Sequence, residues 1–105
     1  MKWEKKGLIY KPPFDGSWKD NSALQPTVLV LSDRIRIFLC FRDTRGIGRI
    51  GYVDVDVNDP SKILKISENP ILDIGQDGMF DDNGVAPTAI IKNDNKIFLY
   101  YAGYQ

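Results

Sequence analysis

Short extended apolar segments recur along the chain between polar turns, and no stretch longer than two turns keeps helical spacing. Residues 24–31 and 35–41 read as strands around a turn at 32–34. In the second strand Ile35, Ile37, Leu39 and Phe41 share one face, while Phe38 and Cys40 share the other with Arg36 and Arg42. Both faces carry apolar side chains, the pattern of a sheet packed on either side. Residues 49–57 continue as a third strand after a glycine-containing loop at 43–48. Residues 62–66 follow as a short outer strand beyond the Asn58-Asp59-Pro60 turn. Residues 67–84 are a loop punctuated by Asn69-Pro70, Asp77-Gly78 and Asn83-Gly84. Residues 85–91 and 97–101 then form a hairpin across a polar turn at 92–96. Short strand candidates also lie around Trp3 and at 8–10, ahead of a turn-rich loop at 14–22. The predicted class is all-β.

The two hairpins look alike. Pro26-Thr27 returns as Pro87-Thr88, an offset of 61, and Ile37-Phe38-Leu39 returns as Ile97-Phe98-Leu99, an offset of 60. The expected organisation is one domain over residues 1–105, with a first repeat at about 22–66 and a second, truncated one at about 83–105. Four short strands, a long loop and two strands of another four describe antiparallel, four-stranded propeller-blade units, about one and a half of them. Such a chain leaves sheet edges and apolar faces bare, so association into a homo-oligomer is expected.

Composition narrows the chemistry. The chain has 105 residues, 43% apolar and 27% charged, with 14 basic and 14 acidic side chains. That is globular, and no net field draws it to nucleic acid or an anionic membrane. No run approaches the roughly 20 apolar residues of a spanning helix. The charged start lacks a signal-peptide core, and the single cysteine, Cys40, excludes an internal disulfide; both suit a cytoplasmic protein. Histidine is absent, which removes Ser-His-Asp and Cys-His nucleophile systems and His-based metal sites. No cofactor or metal is expected. The segment Gly46 to Gly51 matches a dinucleotide fingerprint, yet it enters a strand where that motif must open a helix. Asp54 to Asp59 fails as a calcium loop, with Asp59 and Lys65 where Gly and Glu are required.

Val85 to Gly103, with Ala86-Pro87 opening one strand and Leu99-Tyr100-Tyr101 in the next, resembles the second blade of five-bladed glycoside hydrolases of the family 43 and family 32 group. Gln25-Pro26-Thr27-Val28 with Phe41-Arg42-Asp43 is similar to the first blade. The resemblance covers most of the chain but only about the first third of such an enzyme. It implies a carbohydrate-facing rim. It also implies an Asp base directly before the first blade's Pro, where this chain has Gln25. The general acid of such enzymes lies in a later blade, and glycosidases need two flanking carboxyl groups. No catalytic residue is therefore assigned within one chain.

Seven residues are candidates for contact with a sugar: Asp81, Asp82, Arg42, Asp43, Gln25, Asp20 and Trp18. Asp81-Asp82 and Asp20-Asn21 precede the innermost strand of each repeat, where carboxylates either meet sugar hydroxyls or accept backbone N–H groups in Asx turns. Arg42 could clamp a ligand bidentately, with Asp43 beside it; alternatively Asp43 closes its hairpin through Arg45 or Arg49. Trp18 offers a face to a pyranose or packs in the core, and Tyr100, Tyr101 and Tyr104 suit a core or a subunit interface. The expected function is a glycosidase-like, carbohydrate-recognising or catalytically degenerate module. Two alternatives remain: a structural module binding proteins through sheet edges, and a glycosidase assembled across subunits from Asp20, Asp43, Asp81 and Asp82.

Overall fold

Six strands form in a computed structural model that describes residues 1–105: β1 (Asn21–Val30), β2 (Arg34–Arg42), β3 (Gly48–Asp56), β4 (Ile63–Ile66), β5 (Gly84–Asn93) and β6 (Lys96–Tyr104). The class is all-β, and no helix is long and apolar enough to cross a membrane. The first four strands pair antiparallel in chain order, β1-β2-β3-β4. β5 and β6 make a second antiparallel hairpin. One parallel bridge, Gly48 to Gly84, joins β3 to β5 and links everything into one open sheet. The candidate strands around Trp3 and at 8–10 do not form, and Trp3 stays exposed. Pro12-Pro13 follows it, and neither residue can donate to a sheet ladder.

The alternation along β2 and β3 is used on both sides. Leu39, Phe41, Val53 and Val55 make one cluster, capped by Tyr10 and Trp18, whose rings meet Phe41 edge-on at 5.8 and 5.4 Å. On the opposite face Leu29, Phe38 and Ile50 pack with Val85, and with Ile90 and Leu99 of the second hairpin. The β5–β6 hairpin thus lies against β1, β2 and β3, where Val85, Ile90 and Leu99 find their partners. At the outer end Asp54, nearly fully buried, takes both Arg36 Nε and Nη2 at 2.8 and 2.9 Å, with Arg34 Nε at 3.3 Å. The Arg36 guanidinium also stacks 3.8 Å from the Tyr52 ring.

The two hairpins share one register. Leu24 pairs with Cys40 and Ala86 with Ala102; Val28 pairs with Ile37 and Ile90 with Leu99; Leu29 pairs with Arg36 and Ile91 with Phe98. Every one of these positions is shifted by 62, in both strands. Each leading strand is also bulged at the same place, between Leu24 and Thr27 and between Pro87 and Ala89. The offsets of 61 and 60 expected from the apolar motifs are therefore corrected. Pro26 corresponds to Thr88 rather than Pro87, and Phe38 to Tyr100 rather than Phe98. The mis-set β2–β6 match preserved the inward and outward alternation because it slipped by an even number of residues. Pro26 is exposed whereas Pro87 is buried, so the two prolines do not occupy like surroundings.

Candidate functional site

The loops leading into β1 and β5 repeat a sequence as well as a shape. Asp15-Gly16-Ser17-Trp18-Lys19-Asp20-Asn21 and Asp77-Gly78-Met79-Phe80-Asp81-Asp82-Asn83 share Asp-Gly, an aromatic and Asp-Asn at the same offset of 62. Gly16 and Gly78 both take positive φ, 80° and 89°, a conformation open to glycine at no steric cost. Their N–H groups donate to the carboxylates four residues on, Asp20 at 2.6 Å and Asp82 at 2.8 Å. The backbone N–H of Asp20 donates to Ser17 O, and that of Asp82 to Met79 O. The aromatics meet equivalent positions: Trp18 packs edge-on to Phe41 of β2, and Phe80, more exposed, lies over Gly103, the counterpart of Phe41 in β6. Asp-Asn thereby arrives at the start of each leading strand in the same pose.

Between these two entrances lies a cleft of about 380 Å³, walled by Leu24, Gln25, Cys40, Arg42, Gly46, Gly48, Asn83, Gly84 and Tyr104. Its floor is the β3–β5 junction. A Cβ at Gly48 would collide with the Cys40 sulfur, so glycine there leaves room for that thiol of β2 beside the junction. Burial pushes the Cys40 thiol up, against the pull of the Arg42 charge, leaving a protonated, apolar floor. Gln25 and Ser22 stand at the two bulges of β1 with φ of 54° and 66°. Positive φ in non-glycine residues is a strained choice that the surroundings must hold in place. Arg42 supplies part of that hold, donating from Nε and Nη2 to Ser22 Oγ at 3.0 and 2.7 Å. Ser22 Oγ donates in turn to Asn21 Oδ1, and Asn21 Nδ2 donates to Asp20 Oδ2 and to Asp43 O.

Of the seven candidate residues, Gln25 and Arg42 line the cleft and the other five do not. Trp18 turns to the opposite face of the sheet, where it packs on Phe41 and donates from Nε1 to Glu68 O. Asp43 closes its own hairpin: it accepts from the backbones of Arg45 and Ile47 and takes Arg49 Nη1 at 2.9 Å. Burial pushes its carboxyl up, yet Arg49 and those amides outweigh burial and hold it below the usual range. Asp81 is buried beneath Tyr101, whose hydroxyl donates to it at 3.4 Å, and Asp82 caps its loop. Asp20 serves its loop and Asn21, behind the cleft. Asn83 and Tyr104 are cleft residues that sequence reasoning passed over. The repeated Asp-Gly-x-aromatic-x-Asp-Asn carries the signal for Asn83, at an offset of 62 where the Pro-Thr pairs give 61.

No protein-family model matches the chain. Two uncharacterized proteins of Mycobacterium tuberculosis, from strains CDC 1551 / Oshkosh and ATCC 25618 / H37Rv, are each 37% identical to it over 105 residues. The match takes in 99% of this chain and 35% of each relative, so the chain spans about a third of the length of the curated relatives it matches.

Proposed function

We propose that the chain is a pair of consecutive units of a glycosidase-like β-propeller, the first of four strands and the second of two, and that the cleft between their entrances recognises carbohydrate. The observation that carries this reading is the constant offset of 62, which governs strand pairing, bulge position and the Asp-Gly-x-aromatic-x-Asp-Asn loops together. Stacked, repeated antiparallel units place the starts of their leading strands around a common axis, and the cleft lies where β1 and β5 begin. The relatives' length supports it: if 105 residues are 35% of a relative, that relative has about 300, room for five units of roughly 60 residues. The cleft is lined by amides, a guanidinium and a phenol over an apolar floor, donors and acceptors suited to hydroxyl groups. It holds no carboxylate, and a glycosidase needs two, so the reading is recognition by these residues. The test is an oligosaccharide array probed with the 105-residue chain. Binding should fall about tenfold in Gln25→Ala and Asn83→Ala, the loss of one hydrogen bond to a polar ligand, and hold in Asp59→Ala, an exposed residue of the β3–β4 turn that does not line the cleft. No binding across the array, or equal loss in Asp59→Ala, would remove the reading.

A second reading, association through a sheet face, draws on one further observation. Ile91, Phe98 and Tyr100 are 50%, 44% and 53% exposed. By the shared register Ile91 and Tyr100 correspond to Leu29 and Phe38, which the β5–β6 hairpin covers. The equivalent bare face is thus shaped for another unit of the same kind, supplied by a second copy of the chain in the homo-oligomer reading. Sedimentation of the chain should show mass rising with concentration, and Tyr100→Lys should abolish the rise. A wild-type mass of one chain at all concentrations would refute it.

A further inference from the structure

We infer that the cleft selects a sugar bearing an anionic group, a carboxylate or a phosphate, and that Arg42 is the residue that selects it; this rests on the carbohydrate reading above. The chain has five arginines, and four of them are ion-paired. Arg34 and Arg36 meet Asp54, Arg45 meets Asp43, and Arg49 meets both Asp43 and Asp73. Arg42 alone has no carboxylate partner. Its protein partner is a neutral hydroxyl, Ser22 Oγ, which takes Nε and Nη2 and fixes the plane of the guanidinium. The remaining N–H groups, including both on Nη1, have no acceptor in the protein, and the side chain borders the cleft.

The carboxylate next in sequence does not neutralise Arg42, because Asp43 is spent on Arg49, Arg45 and its own loop amides. Asp20 accepts from Gly16 and Asn21 behind the wall and does not line the cleft. The cleft therefore presents one cation and no anion, next to the neutral amides of Gln25 and Asn83. A half-buried guanidinium pre-oriented by a neutral partner, with one edge free, is the arrangement that takes a carboxylate or phosphate in a fork. The amides and the Tyr104 hydroxyl would then meet the hydroxyls of the ring that carries it.

The test titrates the full chain, by isotope-edited NMR, with methyl glucuronoside, glucose 6-phosphate, methyl glucoside and inorganic phosphate. Binding of the glucuronoside or the sugar phosphate should exceed that of the neutral glucoside by about tenfold, the scale of one charge-assisted contact. Raising the salt should narrow that gap. Arg42→Gln should erase the preference, and Arg42→Lys, which keeps the charge and loses the fork, should retain part of it, with amide shifts confined to the Ser22 bulge and the cleft. The two charged sugars separate the carboxylate from the phosphate form of the ligand. Equal binding of charged and neutral sugars would overturn the inference while leaving sugar recognition standing. Inorganic phosphate binding as tightly as glucose 6-phosphate would overturn it as well, reducing the cleft to an anion hole. Binding of none of the four probes would overturn both.

Discussion

Asp54 shows how a single side chain sets the cost of a local change. It is 2% exposed and receives two arginines that themselves reach water. Removing one member of a fully buried pair costs about 3–5 kcal/mol; with Arg34 and Arg36 partly solvated, Asp54→Ala should cost about 2–3 kcal/mol. Urea denaturation would read this as a lowered midpoint at unchanged slope. Asp43 gives a pH signature. Its folded carboxyl lies below the ordinary range, so its contribution is present above the unfolded value near 3.9 and is lost as pH falls through the folded one. Asp43→Asn should therefore be less stable than the parent at pH 7, with the gap closing below about pH 4. A gap that stayed constant from pH 7 to pH 3 would contradict the ion pair with Arg49.

The hairpin entrance is the unit that the chain uses twice, and its two copies are not equally loaded. Asp20 is buried and accepts from both Gly16 and Asn21, whereas Asp82 is part-exposed and accepts from Gly78. Truncating a buried acceptor strands its donors, at about 1–3 kcal/mol, while an exposed loop bond is worth about 0.5–1. Asp20→Ala should thus lower the urea midpoint more than Asp82→Ala, and the reverse order would break the argued difference in burial. At this scale the sequence was legible in kind and less so in register. Strands β2 and β3 were visible because both faces alternate with apolar residues. β1 and β5 took in Asn21, Ser22 and Asn93, polar residues recruited by pairing rather than by pattern, and β6 ran on through Ala102 and Gly103 to Tyr104 because Ala86, Val85 and Gly84 pair with them. The turn of the second hairpin shrank to Asp94-Asn95, with Asp94 at a φ of 53°, a conformation Asp tolerates. The site was half legible. Arg42 could be placed because it ends its strand, and Gln25 because it stands directly before Pro26, where the resemblance puts a site residue. Trp18, Asp43, Asp81 and Asp82 were claimed by packing and loop bonds that depend on Phe41, Arg49, Tyr101 and Gly78, and a linear reading does not show those neighbours.

Taken whole, the molecule is two like units stacked face to face, with a cleft where their leading strands start and an apolar face turned outward. The stacking explains why Val85 and Ile90 find partners while Ile91 and Phe98 do not. The cleft is floored by Gly48, whose missing Cβ leaves room for the Cys40 sulfur, and by Gly84, to which Gly48 is bridged. The account stands or falls on where a sugar seats. The most direct measurement is amide chemical-shift mapping of the 105-residue chain during titration with an oligosaccharide that the array identifies. Shifts should concentrate at Gln25, Arg42, Asn83 and Tyr104. Shifts centred instead on Trp18, on the opposite face of the sheet, or on the exposed Ile91, Phe98 and Tyr100 would contradict recognition at the cleft.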